Sequence, residues 1–181
     1  MNRFDINCLQ GLMLIATHKL DTNPLFSKSL IYINKHSAGQ GAEGFILNKP
    51  TKLPFYKLFR MVKSSKIDMQ RSALDNNMVL IGGPELTNNT FILNNNLNSE
   101  VLTESLLQEI IVQESYDSFE VFAGISSWRL GQLEKEVFED YWLTFEPDLE
   151  IMFTTDYRDR YDKFISKNSL NSYMIRLSNS E

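Results

Sequence analysis

The sequence predicts a single domain that combines a β-sheet with helices, and three observations predict it. A chain of 181 residues suits one domain with a substantial core. Short runs of apolar, β-branched and aromatic residues recur along it, each bounded by glycine, proline or polar residues, as strands are. Among them lie segments with apolar residues at i, i+3, i+4 and i+7, the spacing of a helix that buries one face.

In chain order, Gly11-Leu12-Met13-Leu14-Ile15-Ala16 is a continuous apolar run suited to a central strand buried on both faces. Leu30-Ile31-Tyr32-Ile33-Asn34 and Phe45-Ile46-Leu47 read as two more strands, joined as a hairpin through Ser37-Ala38-Gly39-Gln40-Gly41. Pro50 and Pro54 bracket the approach to a helix of about Phe55 to Lys63. Its inner face carries Phe55, Leu58, Phe59 and Val62, and its outer face Lys57, Arg60 and Lys63. Met78-Val79-Leu80-Ile81 is a further buried strand that stops at Gly82-Gly83-Pro84, and Phe91-Ile92-Leu93 follows at hairpin distance. Thr103 is placed to cap a helix running to Ile111, and Phe119 to Ala123 alternates as a sixth strand. Gly131 to Asp140 is helical through Leu133 and Val137, and Trp142 to Phe145 is extended. A last helix, about Asp156 to Lys167, has Asp156 and Asp159 near its positive N-terminal end. The domain is expected over residues 1–170, with 171–181 a frayed tail.

Composition narrows the function classes. Apolar residues at 43% and charged residues at 23% are ordinary for a soluble globular chain, and no apolar stretch approaches the roughly 20 residues of a membrane-spanning helix. The N-terminus has no apolar secretory core, so the cytosol is the expected compartment. Cys8 is the only cysteine, which excludes an internal disulfide and a multi-cysteine metal site. A net charge of −5 argues against a dedicated nucleic-acid binder. Charge is nonetheless uneven: Lys49, Lys52, Lys57, Arg60, Lys63, Lys66 and Arg71 face only Asp68, whereas residues 134–162 are strongly acidic. Solvated helix faces are the simplest account of such runs, ahead of intramolecular matching, head-to-tail self-association or an acidic partner.

Candidate chemistry is sparse. Gly39-Gln40-Gly41-Ala42-Glu43-Gly44 spells GxGxxG, but it opens a strand, whereas a dinucleotide fingerprint must open a helix. His18 and His36 are the only histidines; neither has a metal-pair spacing, and a hydrogen-bonded structural role is the simpler reading of each. Ser126 and Ser127 lack the flanking glycines of a nucleophile elbow. Gln132, Glu136 and Asp140, four residues apart, should share one helix face, where two carboxylates suit a hard cation or, more simply, solvent. Glu134 points elsewhere on that helix, so Glu134 and Glu136 are not a ready acid/base pair. Trp128 and Trp142 flank the helix and either anchor it on the core, the simpler reading, or line a pocket.

Several segments taken together resemble the AlgH/YqgE family of bacterial proteins, with similarity from about Gly11 to Phe164. They are Gly11 to Ala16; Ser29-Leu30-Ile31-Tyr32 with His36; Gly44 to Pro50; Gly82-Gly83-Pro84 with Phe91-Ile92-Leu93; and Trp128, Gly131-Gln132-Leu133-Glu134, Glu136 and Trp142-Leu143. The resemblance implies an α+β fold: one domain with a bifurcated, mostly antiparallel sheet, part of it barrel-like, surrounded by helices. It also implies the label of a transcriptional regulator linked to alginate production, for a family without an established biochemical activity. His18 stands where the family has proline, Asn89-Thr90 where it has Arg-Gly, and Asn94 where a histidine is common, so no catalytic role is carried over from those positions.

The expectation is a regulatory binding module, acting on a small ligand or a protein partner through His36, Gly44, Asn48, Pro50, Gly82, Gly83, Pro84, Trp128, Gly131, Gln132, Glu134 and Glu136. No catalytic residue, metal or cofactor is expected, and the oligomeric state stays open. Two rival readings are an enzyme using His36 with a carboxylate, and direct DNA binding through Lys57, Arg60 and Lys63.

Overall fold

A computed structural model describes residues 8–37, 39–61, 78–113 and 118–170. The strands are β1 (Met13–Ala16), β2 (Leu30–Ser37), β3 (Gly41–Ile46), β4 (Pro50–Pro54), β5 (Met78–Ile81), β6 (Glu85–Asn94), β7 (Ser99–Val101), β8 (Phe119–Trp128) and β9 (Trp142–Phe145). The helices are α1 (Phe55–Met61), α2 (Glu104–Gln113), α3 (Gln132–Phe138), α4 (Leu149–Phe153) and α5 (Arg160–Lys167). The nine strands among the described residues belong to one sheet of an α+β fold, in the order β4-β5-β8-β3-β2-β1-β9, with β6 and then β7 branching from β8. Every pairing is antiparallel except β5 with β8, and the path from β4 to β9 does not close into a ring.

Period-2 alternation distributes side chains between two faces. Met13, Ile15, Leu30, Tyr32, Phe45 and Leu47 pack on one side with Ile151 and Met152 of α4 and Phe164 and Ile165 of α5. Leu14, Ala16, Ile31, Ile33, Ala42 and Ile46 pack on the other with Leu133 of α3, Trp128, Trp142 and Leu9. β1, flanked by β2 and β9 and buried throughout, is the internal strand that its apolar run predicts. Around the other branch, Phe55 and Leu58 of α1 and Leu107 and Ile110 of α2 cover Val79, Ile92, Phe119 and Val121.

The fork lies in β8. Its first half sits between β5 and β6, pairing Phe122 with Leu80 and with Phe91; its last residues pair with β3 through Ser126–Gly44 and Trp128–Ala42. The switch is made at Gly124, whose φ of +72° is left-handed. Four residues of β6, 86–89, stand opposite it, a wide bulge between Glu85–Ile125 and Thr90–Ala123. Alternation is reset there: Phe122 and Ile125, three apart, share the α4/α5 side.

This geometry replaces the hairpin expected between Met78–Ile81 and Phe91–Leu93. β8 lies between those strands, and Gly82-Gly83 crosses directly over it. A Cβ on Gly82 would stand 2.1 Å from the Gly124 carbonyl oxygen, and one on Gly83 2.1 Å from the Ile125 carbonyl carbon. The two glycines are therefore a backbone crossing and not merely a strand end.

The hairpin from β2 to β3 forms as expected, with Gly41 opening β3, and the Thr103 hydroxyl accepts the Leu106 N–H at 3.2 Å at the start of α2. Other boundaries shift. The prolines at 50 and 54 bound an edge strand, where a missing N–H is tolerated. Val62 and Lys63 of the predicted first helix, and the tail 171–181, lie outside the described residues. The last helix begins only at Arg160, because Asp156 turns back to pair with Arg158 at 2.8 Å, and the separate short α4 precedes it, with the Asp148 carboxylate accepting the Ile151 N–H.

Candidate functional site

β8 ends at Trp128, opposite Ala42, and the chain turns through Arg129-Leu130-Gly131 into α3. Gly131 precedes the helix with a φ of +73°, and the Gln132 side-chain oxygen accepts the Arg129 N–H at 3.0 Å, tying off the turn. Leu133 is fully buried and seats α3 on the sheet. One turn further, Glu136 meets three donors. Its Oε1 accepts from Gln132 Nε2 at 2.9 Å, and its Oε2 accepts the indole N–H groups of Trp128 at 2.9 Å and Trp142 at 2.8 Å. The two indoles meet edge to face, 6.2 Å between centroids. A buried indole must place its single N–H, and one carboxylate here satisfies two strands at once. The i, i+4 pair Gln132 and Glu136 thus forms a clasp. Asp140 does not join it: it lies beyond the end of α3 with a φ of +55°.

His36 belongs to the same end of the sheet. Its side chain is 0% exposed; Nδ1 accepts the Leu9 N–H at 3.2 Å, and Nε2 lies 3.2 Å from Glu134 Oε1 without the alignment of a hydrogen bond. Glu134 Oε2 is buried and has no hydrogen-bond partner among the described residues. Glu134 and Glu136 therefore point to different partners, as helical spacing requires. His18, in a 3-10 turn at 18–20, keeps both ring nitrogens buried and without hydrogen-bond partners among the described residues.

Beside this clasp opens a cleft of about 300 Å³, where the ends of β2, β3 and β8 meet. Lys35, Glu43 and Ser127 lie in register across the three strands, and Lys35 Nζ is 2.9 Å from Glu43 Oε2. Ser37, Gln10 and Gln40 add hydroxyl and amide groups, over a floor that includes His36, Ala42 and Trp128.

The other expected site residues do not line the cleft. A Cβ on Gly44 would stand 2.6 Å from the Tyr32 carbonyl oxygen, so β2 and β3 approach too closely there for a side chain. Asn48 accepts the Leu30 N–H at 3.0 Å and donates to the Lys28 carbonyl at 2.8 Å, bracing the far end of the hairpin. Pro50 and Pro84 are exposed, one opening β4 and one following the glycine crossing. Ser126 is buried and donates to the Gly82 carbonyl at 3.0 Å, which makes it a brace for the crossing. Of the expected set, the structure groups His36, Trp128, Gly131, Gln132, Glu134 and Glu136 and leaves Gly44, Asn48, Pro50, Gly82, Gly83 and Pro84 apart from them.

The charge runs resolve locally. In the acidic segment, Asp148 and Glu150 pair with Lys163 and Lys167, and the Arg158 side chain holds Asp156 down to about 2. In the basic run, Lys49 donates to the Ser27 carbonyl at 2.7 Å, and burial followed by the nearby Lys28 lowers its pKa. Lys52 and Lys57 are exposed, while the Arg60 side chain and residues 62–77, with the DNA-reading face expected there, lie outside the described residues.

A second buried charge was missed by the sequence reading. Arg160 donates from Nη1 to the Leu47 carbonyl at 2.7 Å, from Nε to the Thr155 carbonyl at 2.9 Å, and from Nη2 to Glu120 of β8. Burial raises the Glu120 pKa, opposed by the charge and hydrogen bond of Arg160. Helical spacing marks Arg160 only as a polar residue, and no local signal links it to a strand 40 residues earlier. The cleft residues Gln10, Lys35, Ser37, Gln40, Glu43 and Ser127 were missed for the same reason: strand pairing, not sequence, brings them together.

Comparison with known proteins places the chain in a family. Residues 13–172 match the model of the family described as AlgH-like. A UPF0301 protein of Photorhabdus laumondii is 32% identical over 180 residues, covering 92% of this chain and 95% of its own. One from Haemophilus influenzae is 34% identical over 170 residues, covering 84% and 87%. Among solved structures, the solution structure of the AlgH protein from Pseudomonas aeruginosa aligns with a TM-score of 0.71 at 22% identity, covering 100% of this chain and 98% of that one. A protein of Corynebacterium diphtheriae aligns at 0.63 and 16% identity, covering 92% and 90%. At those identities the two structures speak for the fold alone. Among the described residues, no helix is long and apolar enough to cross a membrane.

Proposed function

The chain belongs to the AlgH-like family, and from that premise we propose that it is a regulatory binding module of the cytosol, which takes a small polar molecule in the cleft at the joined ends of β2, β3 and β8. The cleft itself carries this reading. Its volume of about 300 Å³ is at the lower end of ligand-pocket sizes. Its wall offers one cation, one carboxylate, two amides and two hydroxyls in Lys35, Glu43, Gln10, Gln40, Ser37 and Ser127. The Trp128–Glu136–Trp142 clasp holds the floor rigid, and polar groups presented at the ends of a rigid sheet are a common basis for recognition. Binding is favoured over turnover because the His36 ring is buried, with Nδ1 engaged by Leu9 and Nε2 turned to Glu134. Occupancy would be read by a protein partner, in keeping with the regulator label that the resemblance implies.

A thermal-shift screen of the purified protein against amino acids, nucleotides, sugars and duplex oligonucleotides tests this. A ligand at about 100 times its Kd stabilises by about 2.7 kcal/mol. The expected result is a shift with a small polar molecule that is lost in Ser127→Tyr, which fills the cleft mouth. It should be kept in Phe138→Ser, a control at a side chain 80% exposed at the end of α3. A shift with duplex DNA alone, or a small-molecule shift that survives Ser127→Tyr, would overturn the reading.

A further inference from the structure

We propose that His36 is a proton-operated latch for the segment that forms one wall of the cleft: the neutral ring holds Leu9, and the doubly protonated ring releases it. An imidazole nitrogen accepts a hydrogen bond only when it carries no proton. Because Nδ1 accepts the Leu9 N–H, the proton of the neutral ring sits on Nε2, beside Glu134 Oε1. A second proton must go to Nδ1, the atom that faces the Leu9 N–H. Two donors then oppose each other, and the bond is lost.

The charged groups around the ring come from α3 and from the β2–β3 side. From α3, Glu134 stands 3.2 Å from Nε2, and its second oxygen is buried and has no hydrogen-bond partner among the described residues. Glu136 on the same helix is already engaged by Gln132 and the two indoles. On the β2–β3 side, Lys35 and Glu43 pair with each other at 2.9 Å. The segment before β1 brings the uncharged Leu9 and Gln10, with Cys8 exposed beside them. The latched state binds one proton fewer at His36 than the released state. It is therefore favoured at high pH and lost as pH falls. Histidine is the side chain whose ordinary charge change falls between pH 5 and 8.

Release has a readable consequence. The Leu9 side chain is fully buried against the Trp128 cluster, and Gln10, the next residue, lines the cleft. Acid would therefore move one wall of the cleft. That consequence rests on the binding reading above, whereas the latch stands independently of it.

Amide hydrogen exchange of the full chain, read by NMR between pH 8 and pH 5 and corrected for intrinsic rates, tests the latch. Leu9 protection is expected to fall by up to about tenfold per pH unit below the transition. The Ile33 amide, bonded to the Leu12 carbonyl at 2.9 Å, should keep its protection and serves as the reference. In His36→Asn, a side-chain oxygen takes the place of Nδ1 and does not titrate, so Leu9 protection should become independent of pH. Constant protection in the natural chain, or the same acid loss in the variant, overturns the proposal. Nitrogen shifts of the His36 ring at pH 8 give a check that needs no variant: a proton on Nδ1 would also overturn it. Ligand titration at pH 8 tests the cleft separately, so the two readings fail by different measurements.

Discussion

The two helix clasps on opposite faces of the sheet solve one problem in different ways. α5 is held through Arg160, whose charge is met by the opposite charge of Glu120 and by the Leu47 and Thr155 carbonyls. α3 is held through Glu136, whose charge is met only by neutral donors, two indoles and one amide. In the first, removing either partner strands a buried charge. In the second, removing the charge leaves donors that a neutral oxygen still satisfies in part. The α5 clasp is thus all-or-none, and the α3 clasp is graded.

The largest expected effect is at α5. Arg160→Met leaves Glu120 buried without its cation and two carbonyls without donors, and should cost about 3–5 kcal/mol in urea unfolding. A cost below that of any change at Glu136 would break the comparison. Glu136→Gln comes next. Its oxygen still accepts both indoles, but its amide then faces the Gln132 amide; Gln132 must flip and lose the Arg129 N–H, a cost of about 1–3 kcal/mol. Tryptophan fluorescence should shift in this variant and stay unchanged in Arg160→Met at urea concentrations that leave both folded. The smallest effect is at an exposed pair. Arg158 depresses Asp156 to about 2, so its contribution is present above the usual carboxylate range and is lost as pH falls through about 2. Solvent screens that pair, and Asp156→Asn should lower stability at pH 7 by only a few tenths of a kcal/mol. The difference should shrink steeply as pH falls from the usual carboxylate range towards 2; a constant difference from pH 7 to pH 2 would mean that the pair acts through packing.

Legibility in the sequence followed locality. Gly11 to Ala16, the hairpin around Gly39 and Gly41, and the Thr103 cap are contained in a few consecutive residues, and each reads correctly. The Gln132–Glu136 face reads correctly as a helical pair, but its purpose does not, because the indoles it serves lie on two different strands. The supposed hairpin of β5 and β6 failed because the strand that separates them comes after both in the chain. Gly82-Gly83-Pro84 looked like an ordinary strand end, since a crossing partner at Gly124 and Ile125 leaves no mark beside it. The forked sheet itself was legible only through the family resemblance.

The fork at β8 also imposes an order on folding. β3, β5 and β6 are all made before β8, and each keeps an unpaired edge until residues 119–128 arrive. Contacts between residues so far apart along the chain make assembly slow, and open edges invite pairing with other chains meanwhile. During synthesis the molecule therefore passes through a stage in which most of its sheet has been made and none of it is joined across the middle. The exit of one strand from the ribosome closes those three edges, which makes the time between the emergence of Asn94 and that of Trp128, when all three are open, the interval of greatest aggregation risk.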